Sequence, residues 1–496
     1  MAVWMLLSVI LPIAGGVMVA ALPEVRKIKK VWTGAFLCAG AACMLWTAWK
    51  GAGVEITLWR MTDTISIALS VDGLSRFFLA LVAVMWTLTG FYAFGYMEHE
   101  ESRFYGFYLI SMGVLSGLCM AKNLVTFYLF YEAMTLMTVP LVMHDRTKEA
   151  IAAGIKYLVY SVFGASAALF GIFYLNGVCD TLNFVPGGSL SGEAGGALLW
   201  VVMIMILGFG TKAGMFPLHA WLPTAHPVAP APASAVLSGV ITKMGVLGVT
   251  RVVFYCVGAD NIRGTWVQTA WMVLALITVF MGSMLALGED VFKKRLAYSS
   301  VSQVSYILFA LSTLTATGFE GAMLHVVFHS AIKITLFMTA GVVIHTLGIT
   351  KVSEMEGIGK RIPLVMGLYT IVSLGLIGIP PTGGFVSKWY MATGAMEMGT
   401  AGSFIGPAVL LLSAILTAAY LLPVAIRAFF NRNEQRGHED LSATIEVADE
   451  GKACGERVRV SAWMWVPMAA LTAFVLFGGM FPQKIFAFVS AIAAAL

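Results

Sequence analysis

The sequence predicts an all-α polytopic membrane protein with about fourteen transmembrane helices and one small external β-hairpin. Of its 496 residues, 59% are hydrophobic and only 11% are charged, and the mean hydropathy is +0.86. Apolar stretches of about 20 residues, the length that crosses a hydrocarbon layer about 30 Å thick, recur along nearly the whole chain. Basic residues flank these stretches and form no single patch. We therefore exclude a soluble architecture and a nucleic-acid partner.

The apolar stretches divide the chain into fourteen predicted spans. The first has no basic residue before it and a basic cluster after it, so we expect a retained span rather than a cleaved signal peptide. Residues 207–217 and 378–388 interrupt two spans with glycine and proline, which is tolerated beside protein or a water-filled cavity. The predicted spans are 3–22, 31–49, 76–96, 104–121, 123–143, 154–176, 197–217, 230–254, 265–287, 296–315, 320–346, 363–390, 404–430 and 463–482.

The two interrupted spans lie five spans apart, as two inverted five-helix repeats would place them. With the N-terminus outside, 19 lysines and arginines fall in predicted cytoplasmic loops and seven in external segments. This bias predicts a multi-pass protein of the cell (inner) membrane with an external N-terminus. The expected parts are three N-terminal helices with the hairpin, the first repeat, the second repeat, a cytoplasmic loop and a C-terminal helix, over residues 1–103, 104–254, 265–430, 431–460 and 461–496.

Two segments are expected outside the membrane. Within residues 54–72, apolar and small polar side chains alternate with a period of two, which predicts a β-hairpin packed on helix ends. Residues 431–460 are polar and carry both charge signs, so this loop is either a solvated linker or a contact with a partner.

Charged side chains within the predicted spans are the main functional signal, because placing one at membrane depth costs at least a few kcal/mol. One acid, Glu132, lies deep in a span. Lys156 lies near a helix start and either snorkels to the surface or belongs with the buried group. The deeply embedded bases are Lys212, Lys243, Lys333 and Lys388.

Lysine rather than arginine at these positions indicates proton transfer. Arginine stays charged at almost any burial, whereas a desolvated lysine can give up its proton near neutral pH. A carboxylate within about 4 Å of an amine would attract it by about 4 kcal/mol at an effective dielectric of 20. Movement of Glu132 toward and away from a lysine would therefore switch proton binding.

Two groups of histidines accompany the lysines. His325 and His329 precede Lys333 at four-residue intervals, which stacks three titratable groups on one helix face. This pattern favours a proton relay over polar packing or a metal or haem site. His219 and His226 flank a proline-containing loop and either supply protons from the cytoplasm or line and cap the path.

At these residues the chain resembles the antiporter-like subunits shared by respiratory complex I, Mrp-type cation/proton antiporters and membrane-bound hydrogenases. The lysine at position 388 and the chain length are closest to the D-type, N-type and hydrogenase-associated members. The stretches that carry the resemblance are 130–132, 212–251, 293–300, 325–333, 357–363 and 378–388.

The resemblance implies a half-channel on each side of the membrane, joined by a central polar axis. Glu132 is implied as the partner of Lys212. The implied order of proton-carrying groups is Glu132, Lys212, Lys243, Lys333 with His325 and His329, and finally Lys388.

We expect an ion-translocating subunit of a redox-driven pump or antiporter, moving protons or exchanging them for a cation such as Na⁺. Its expected partners are neighbouring membrane subunits, a hydrogenase or redox module, and the lipid bilayer. The alternatives are an autonomous cation/proton antiporter and a quinone- or haem-binding subunit that uses His325, His329 and His345. No catalytic residue, cofactor or metal is assigned, and the six cysteines form no iron–sulfur spacing.

Overall fold

The computed structural model describes residues 1–22, 25–62, 65–190, 195–430 and 457–496. Most of the predicted loop 431–460 lies outside the described residues. In the described part, eleven helices are long and apolar enough to cross a membrane. The chain is therefore a multi-pass membrane protein, as predicted. The count of fourteen spans and the inverted repeats stay predictions.

The N-terminal half is built from long helices with short connections. Several begin at a side chain that accepts a backbone N–H of the first turn, as Asp72 does from Ser75 and Asn123 from Thr126. The helices are α1 Ala2–Ala21, α2 Arg26–Lys50, α3 Gly73–Tyr96, α4 Glu101–Cys119, α5 Leu124–Val142, α6 Lys148–Val178, α7 Gly196–Ala213, α8 Leu222–Val228, α9 Ala231–Val236 and α10 Thr242–Thr250.

The C-terminal half continues the same architecture. Within it the predicted span 363–390 consists of two helices separated by a break. The helices are α11 Trp266–Gly288, α12 Phe292–Ser312, α13 Ala316–Leu347, α14 Ile358–Arg361, α15 Pro363–Ile377, α16 Gly383–Met396, α17 Gly402–Phe429, α18 Ala462–Met480 and α19 Gln483–Ala493.

Burial separates central helices from peripheral ones. In the most apolar 18 residues of the continuous helical stretch Ala231–Val257, every residue is buried. In the corresponding 18 residues of α13, 89% of the residues are buried. The share of buried residues is only 39% in the most apolar 18 residues of each peripheral helix, so these helices present apolar faces to lipid. The peripheral helices are α1, α2, α6, α17 and α18. Charged groups on the central helices are thus shielded from both lipid and bulk water.

The central stretch Ala231–Val257 departs from regular α-helix at two places. Leu237–Ile241 and Arg251–Val257 are π-helical. Such segments loosen the backbone hydrogen-bond ladder and are frequent at functional sites. Here one precedes Lys243 by two residues and the other begins at Arg251, so both lie beside buried charges.

The predicted hairpin is confirmed. Strands β1 (Glu55–Arg60) and β2 (Ser66–Ser70) pair antiparallel. The hairpin packs on the connection between α4 and α5, because Ser70 N–H donates to Met120 O at 2.7 Å and Lys122 N–H donates to Ala68 O at 3.0 Å.

Both predicted interruptions are present. Helix α7 ends at Ala213 and is followed by Gly214 with φ 79°, and α15 ends at Ile377 before Gly378 with φ 94°. A side chain is strained at these left-handed φ values, which explains glycine at each break. Each break leaves carbonyl groups at the end of a helix inside the protein.

Two helices begin about one turn before the predicted span that they contain. Helix α2 begins at Arg26 and its predicted span at 31, and α12 begins at Phe292 and its predicted span at 296. Basic residues expected in loops therefore belong to the beginnings of these helices, and their long side chains reach backbone carbonyls of neighbouring helices. Lys30 contacts Phe94 O, and Arg295 Nη1 donates to Tyr420 O at 2.9 Å.

Candidate proton-transfer axis

Lys212 lies at the end of α7, one residue before the helix stops. Its ammonium group, 1% exposed, donates to three hydroxyls: Thr135 Oγ1 at 2.7 Å, Ser161 Oγ at 2.9 Å and Tyr157 OH at 3.1 Å. These hydroxyls come from α5 and α6. The break after α7 therefore places the amine among polar groups of two neighbouring helices.

The ring of Trp221 closes this pocket from the far side of the break. It packs on the Tyr157 ring with centroids 4.7 Å apart. Its Nε1–H donates to Thr211 O at 2.8 Å, a carbonyl in the last turn of α7 that also accepts from the Gly214 N–H. The segment after the break thus satisfies the helix end and shields the amine.

Glu132, the predicted partner of Lys212, lies on α5 and is half-buried. Within the described residues it forms no ion pair, and its buried Oε1 has no hydrogen-bond partner. It lies about one helical turn before Thr135, whose hydroxyl accepts a hydrogen bond from Lys212. The predicted contact is therefore not formed in this arrangement, although the acid lies on the helix that contacts the lysine.

Lys243 lies in α10, directly behind the first π-helical segment. Its amine, fully buried, donates to Ser238 O, a carbonyl of that segment. Helices α7 and α10 touch at Gly245, where an added Cβ would lie 2.7 Å from Phe209 O. Glycine is required for this close approach, which places Lys243 beside the helix that carries Lys212.

Lys333 lies at the middle of α13 and contacts α12. Its amine donates to Leu296 O at 3.0 Å and to Ser299 Oγ. The hydroxyl of the adjacent Ser300 is 2.7 Å from Ser238 Oγ, on the π-helical segment before Lys243. Two neighbouring serines of α12 thus connect the surroundings of Lys243 and Lys333.

His325 and His329 lie on the same face of α13 as Lys333, as their spacing predicted. The two imidazoles stack with centroids 5.4 Å apart. His325 Nδ1 is 2.9 Å from Ser387 Oγ on α16, and its ring stacks on Tyr306 of α12 at 5.9 Å. The histidines therefore extend from Lys333 to the second broken helix.

Lys388 follows Ser387 on α16, directly after the second break. Its amine donates to Leu376 O at 2.7 Å and to Ile377 O at 3.0 Å, the last carbonyls of α15. It also lies 4.9 Å from the centroid of the Tyr306 ring. Carbonyls at a helix C-terminus carry partial negative charge, so the broken helix supports this amine without an acid.

The two histidines of the first break occupy different environments. His226 on α8 is fully buried and stacks on Phe337 of α13 with ring centroids 4.6 Å apart. His219 is half-buried before α8 and lies nearer to Lys156. Lys156 donates to Thr224 Oγ1 at 2.9 Å and so contacts the broken helix rather than only the surface.

Several groups along this path are buried yet lack a protein partner within the described residues. Buried polar atoms are nearly always hydrogen-bonded, and bound water commonly supplies the bond. At each of these atoms a bound water molecule would supply the missing hydrogen bond and could carry a proton along the axis. They are Glu132 Oε1, both ring nitrogens of His226 and His329, His325 Nε2, and both amide atoms of Gln303.

Sequence reasoning missed the neutral members of the site. Hydroxyl groups hold Lys212 and Lys333, and Tyr306 contacts both His325 and Lys388. Serine, threonine and tyrosine are common in membrane helices, so only their contacts distinguish them. In the part of the chain that is described, no three His, Cys, Asp or Glu residues are grouped as a metal site would require.

Fold and site together define a multi-pass membrane protein whose central helices carry buried amines, imidazoles and hydroxyls. A family model described as "NADH:quinone oxidoreductase/Mrp antiporter, TM" matches residues 121–419. A second, described as "NADH-Ubiquinone oxidoreductase (complex I), chain 5 N-terminus", matches residues 59–108. The chain belongs to the NADH:quinone oxidoreductase/Mrp antiporter family of membrane subunits, which confirms the resemblance found in the sequence.

Individual relatives agree with this assignment. The chain is 31% identical to the N-type subunit of NADH-quinone oxidoreductase of Desulforudis audaxviator, over 91% of this chain and 89% of that protein. It is 27% identical to the D-type subunit of the Na(+)/H(+) antiporter of Bacillus subtilis, over 87% and 88%. It is 31% identical to Hydrogenase-4 component B of Escherichia coli, over 65% and 50%.

Solved structures show the same fold. A chain of the Mrp complex from Dietzia sp. superposes with a TM-score of 0.87 at 22% identity, covering 100% of this chain and 98% of that one. A chain of respiratory complex I from Thermus thermophilus superposes with a TM-score of 0.81 at 21% identity, covering 99% of both.

Proposed function

We propose that this chain translocates protons as one subunit of a multisubunit redox-driven pump or cation/proton antiporter. One observation carries the proposal. Lys212, Lys243 and Lys333 are fully buried and Lys388 is partly buried, and within the described residues their hydrogen bonds go only to hydroxyls and carbonyls. An amine in such a place can exist with or without its proton, since no acid fixes it in the charged form.

The proposed route follows the contacts along the chain of sites. A proton passes between Lys212 and Lys243 where α7 touches α10, and then to Lys333 through the serines of α12. From Lys333 it moves past His329 and His325 to Lys388. Water beside the unpartnered nitrogens of the histidines would complete the hydrogen-bonded connections.

Glu132 is proposed as the switch at the first end. When its carboxylate approaches Lys212, the charged amine is stabilised, and when it withdraws the amine releases its proton. The three hydroxyls around Lys212 are neutral and can donate or accept a hydrogen bond. They can therefore bind the amine both when it is protonated and when it is neutral. His219, His226 and Lys156 are proposed to carry protons from the cytoplasm toward this end.

We further propose the cell membrane as the location, with the N-terminus outside. The excess of lysine and arginine in the predicted cytoplasmic loops supports this orientation. The three relatives are named as subunits or components, which supports neighbouring membrane subunits as partners. The exchanged or pumped ion is the proton, with Na⁺ as the cation that an antiporter would exchange for it.

The test is proton translocation by the reconstituted complex carrying Lys212→Ala or Glu132→Ala. We expect each variant to assemble and to lose coupled proton movement, measured as quenching of a pH-sensitive dye in proteoliposomes. Lys294→Ala is the matched control, because Lys294 is a partly exposed lysine paired with Glu289 away from the axis. Pumping at the wild-type rate in either axis variant would contradict the proposal.

A further inference from the structure

An apolar cavity of about 440 Å³ opens on the surface of the protein. It lies between α3, α13, α18 and α19. Phe77, Leu81 and Val84 of α3 form one wall, and Ala470 and Phe474 of α18 form the other. Apart from Lys484, the residues that line the cavity are apolar.

The cavity continues along α3 as a groove. Leu88 borders both this cavity and a second apolar one of about 260 Å³, which also contacts Phe91 and Trp463. From Phe77 to Phe91, α3 rises about 21 Å at 1.5 Å per residue. The groove between α3 and α18 therefore extends through most of the hydrocarbon depth of a membrane.

Positive charge gathers at the hairpin end of the groove. Lys484 of α19 borders the cavity and is exposed. The Arg76 guanidinium carbon lies 5.3 Å from the centroid of the Phe488 ring, another wall residue. Arg76 Nε donates to Ala48 O at 2.6 Å, and within the described residues neither cation forms an ion pair with an acid.

We propose that this groove binds an anionic phospholipid, with its phosphate beside Lys484 and Arg76 and one acyl chain between α3 and α18. A long narrow apolar groove with cations at one end is complementary to such an amphiphile. The amphipathic helix α19 places Lys484 at the level where headgroups lie.

An anionic lipid fits these features better than a helix from another subunit does. A helix packed on the apolar wall would leave Lys484 and Arg76 without an anion, whereas a phosphate headgroup would pair with both cations.

The proposal is tested by native mass spectrometry of the purified full-length chain, incubated with dioleoyl phosphatidylglycerol or dioleoyl phosphatidylcholine. We expect preferential retention of phosphatidylglycerol. Lys484→Gln should weaken this retention about fivefold, since a basic residue at the headgroup level contributes about that factor. Ala470→Phe should abolish retention by filling the groove.

Two variants serve as controls. Lys50→Gln removes an exposed lysine at the end of α2, and Ala408→Phe adds a ring to an exposed position of α17. Both should retain the lipid like the wild type. Equal retention of the two lipids would overturn the headgroup assignment, and unchanged retention in Ala470→Phe would overturn the groove.

The occupant in the assembled complex is tested with a photo-crosslinking amino acid at position 470. We expect a lipid adduct. A protein adduct would show that a neighbouring subunit fills the groove, and would overturn the lipid proposal.

Discussion

Arg251 and Lys243 lie eight residues apart in the same buried helical stretch, but their surroundings differ. Arg251 Nη2 donates to Asp72 Oδ1 and Ser75 Oγ, each at 3.0 Å, and Nη1 contacts Asp72 Oδ2. Aromatic rings of Phe184 and Tyr255 lie 4.6 and 4.5 Å from its guanidinium carbon. The Lys243 amine instead donates hydrogen bonds to neutral groups, the carbonyl of Ser238 and the hydroxyl of Thr242.

The difference follows from the chemistry of the two side chains. A guanidinium stays charged, so its burial requires an acid and cation–π contacts. An amine can lose its proton, so it can be buried among neutral groups. The pair formed by Arg251 and Asp72 is therefore a fixed structural link, whereas the lysines of the axis are suited to exchanging protons.

The largest effect is expected when a lysine of the axis is replaced by arginine, the side chain found in the Arg251–Asp72 ion pair. Lys243→Arg places a permanent charge where no acid is present. We expect loss of proton translocation and a fall in stability of about 3 kcal/mol or more, because an unpaired buried charge is strongly destabilising. Thermal unfolding in detergent and dye-based proton translocation measure the two effects.

Lys243→Met is the matched variant for this prediction. It removes the proton carrier without adding a charge, so translocation should be lost while the unfolding midpoint stays near that of the wild type. A functional Lys243→Arg variant would show that the lysine acts only as a fixed charge.

The converse change breaks the ion pair. Asp72→Asn leaves Arg251 buried without an acid and should reduce the free energy of unfolding by about 3 kcal/mol. The double variant Asp72→Asn with Arg251→Met should recover part of the loss, because the unpaired charge is gone. If the single variant were as stable as the wild type, the structural role of the pair would be refuted.

The pH dependence of this loss follows from the pKa of Asp72, which precedes α3. Burial by itself raises that pKa, but the charge of Arg251 and hydrogen bonds from Arg251 and Ser75 lower it overall. A lowered pKa adds stability that is complete above the unfolded value of about 3.9 and is lost as pH falls through the folded value. The cost of Asp72→Asn should therefore be constant from about pH 5 to 8.

A smaller effect is expected from the hydroxyls around Lys212. Tyr157→Phe removes one of the three hydrogen bonds to the amine. A hydrogen bond to a charged group contributes about 1.5 to 3 kcal/mol, so translocation should slow about tenfold without loss of assembly. Tyr160→Phe, on the half-buried neighbouring position of α6, is the control and should remain close to the wild type. An unchanged rate in Tyr157→Phe would mean that the hydroxyl does not tune Lys212.

Much of the fold was predictable because hydropathy reports span length directly. The breaks at Gly214 and Gly378 were visible through glycine and proline, and the hairpin through its period of two. Helix ends were less accurate, since Arg26 and Lys293 are charged yet lie in first turns. Helix α19 was missed because eleven residues are too few to form a span.

The charged members of the site were predictable for a related reason. A lysine at membrane depth is costly, so its presence in an apolar stretch indicates a role. Placing the hydroxyl of Thr135 or Ser299 in a membrane helix costs little free energy, so these residues do not stand out in the sequence. The sequence also does not indicate which hydroxyl contacts which amine. The position of Glu132 relative to Lys212 likewise depends on packing, so the sequence could name both residues but could not give the contact.

The account depends most on the axis being continuous from the first broken helix to the second. Lys388 lies at its far end, 4.9 Å from the Tyr306 ring that also stacks on His325. The most direct measurement is proton translocation by the reconstituted complex with Lys388→Ala, alongside the driving reaction of the complex. The account predicts an assembled complex with no coupled proton movement, and translocation at the wild-type rate would contradict it.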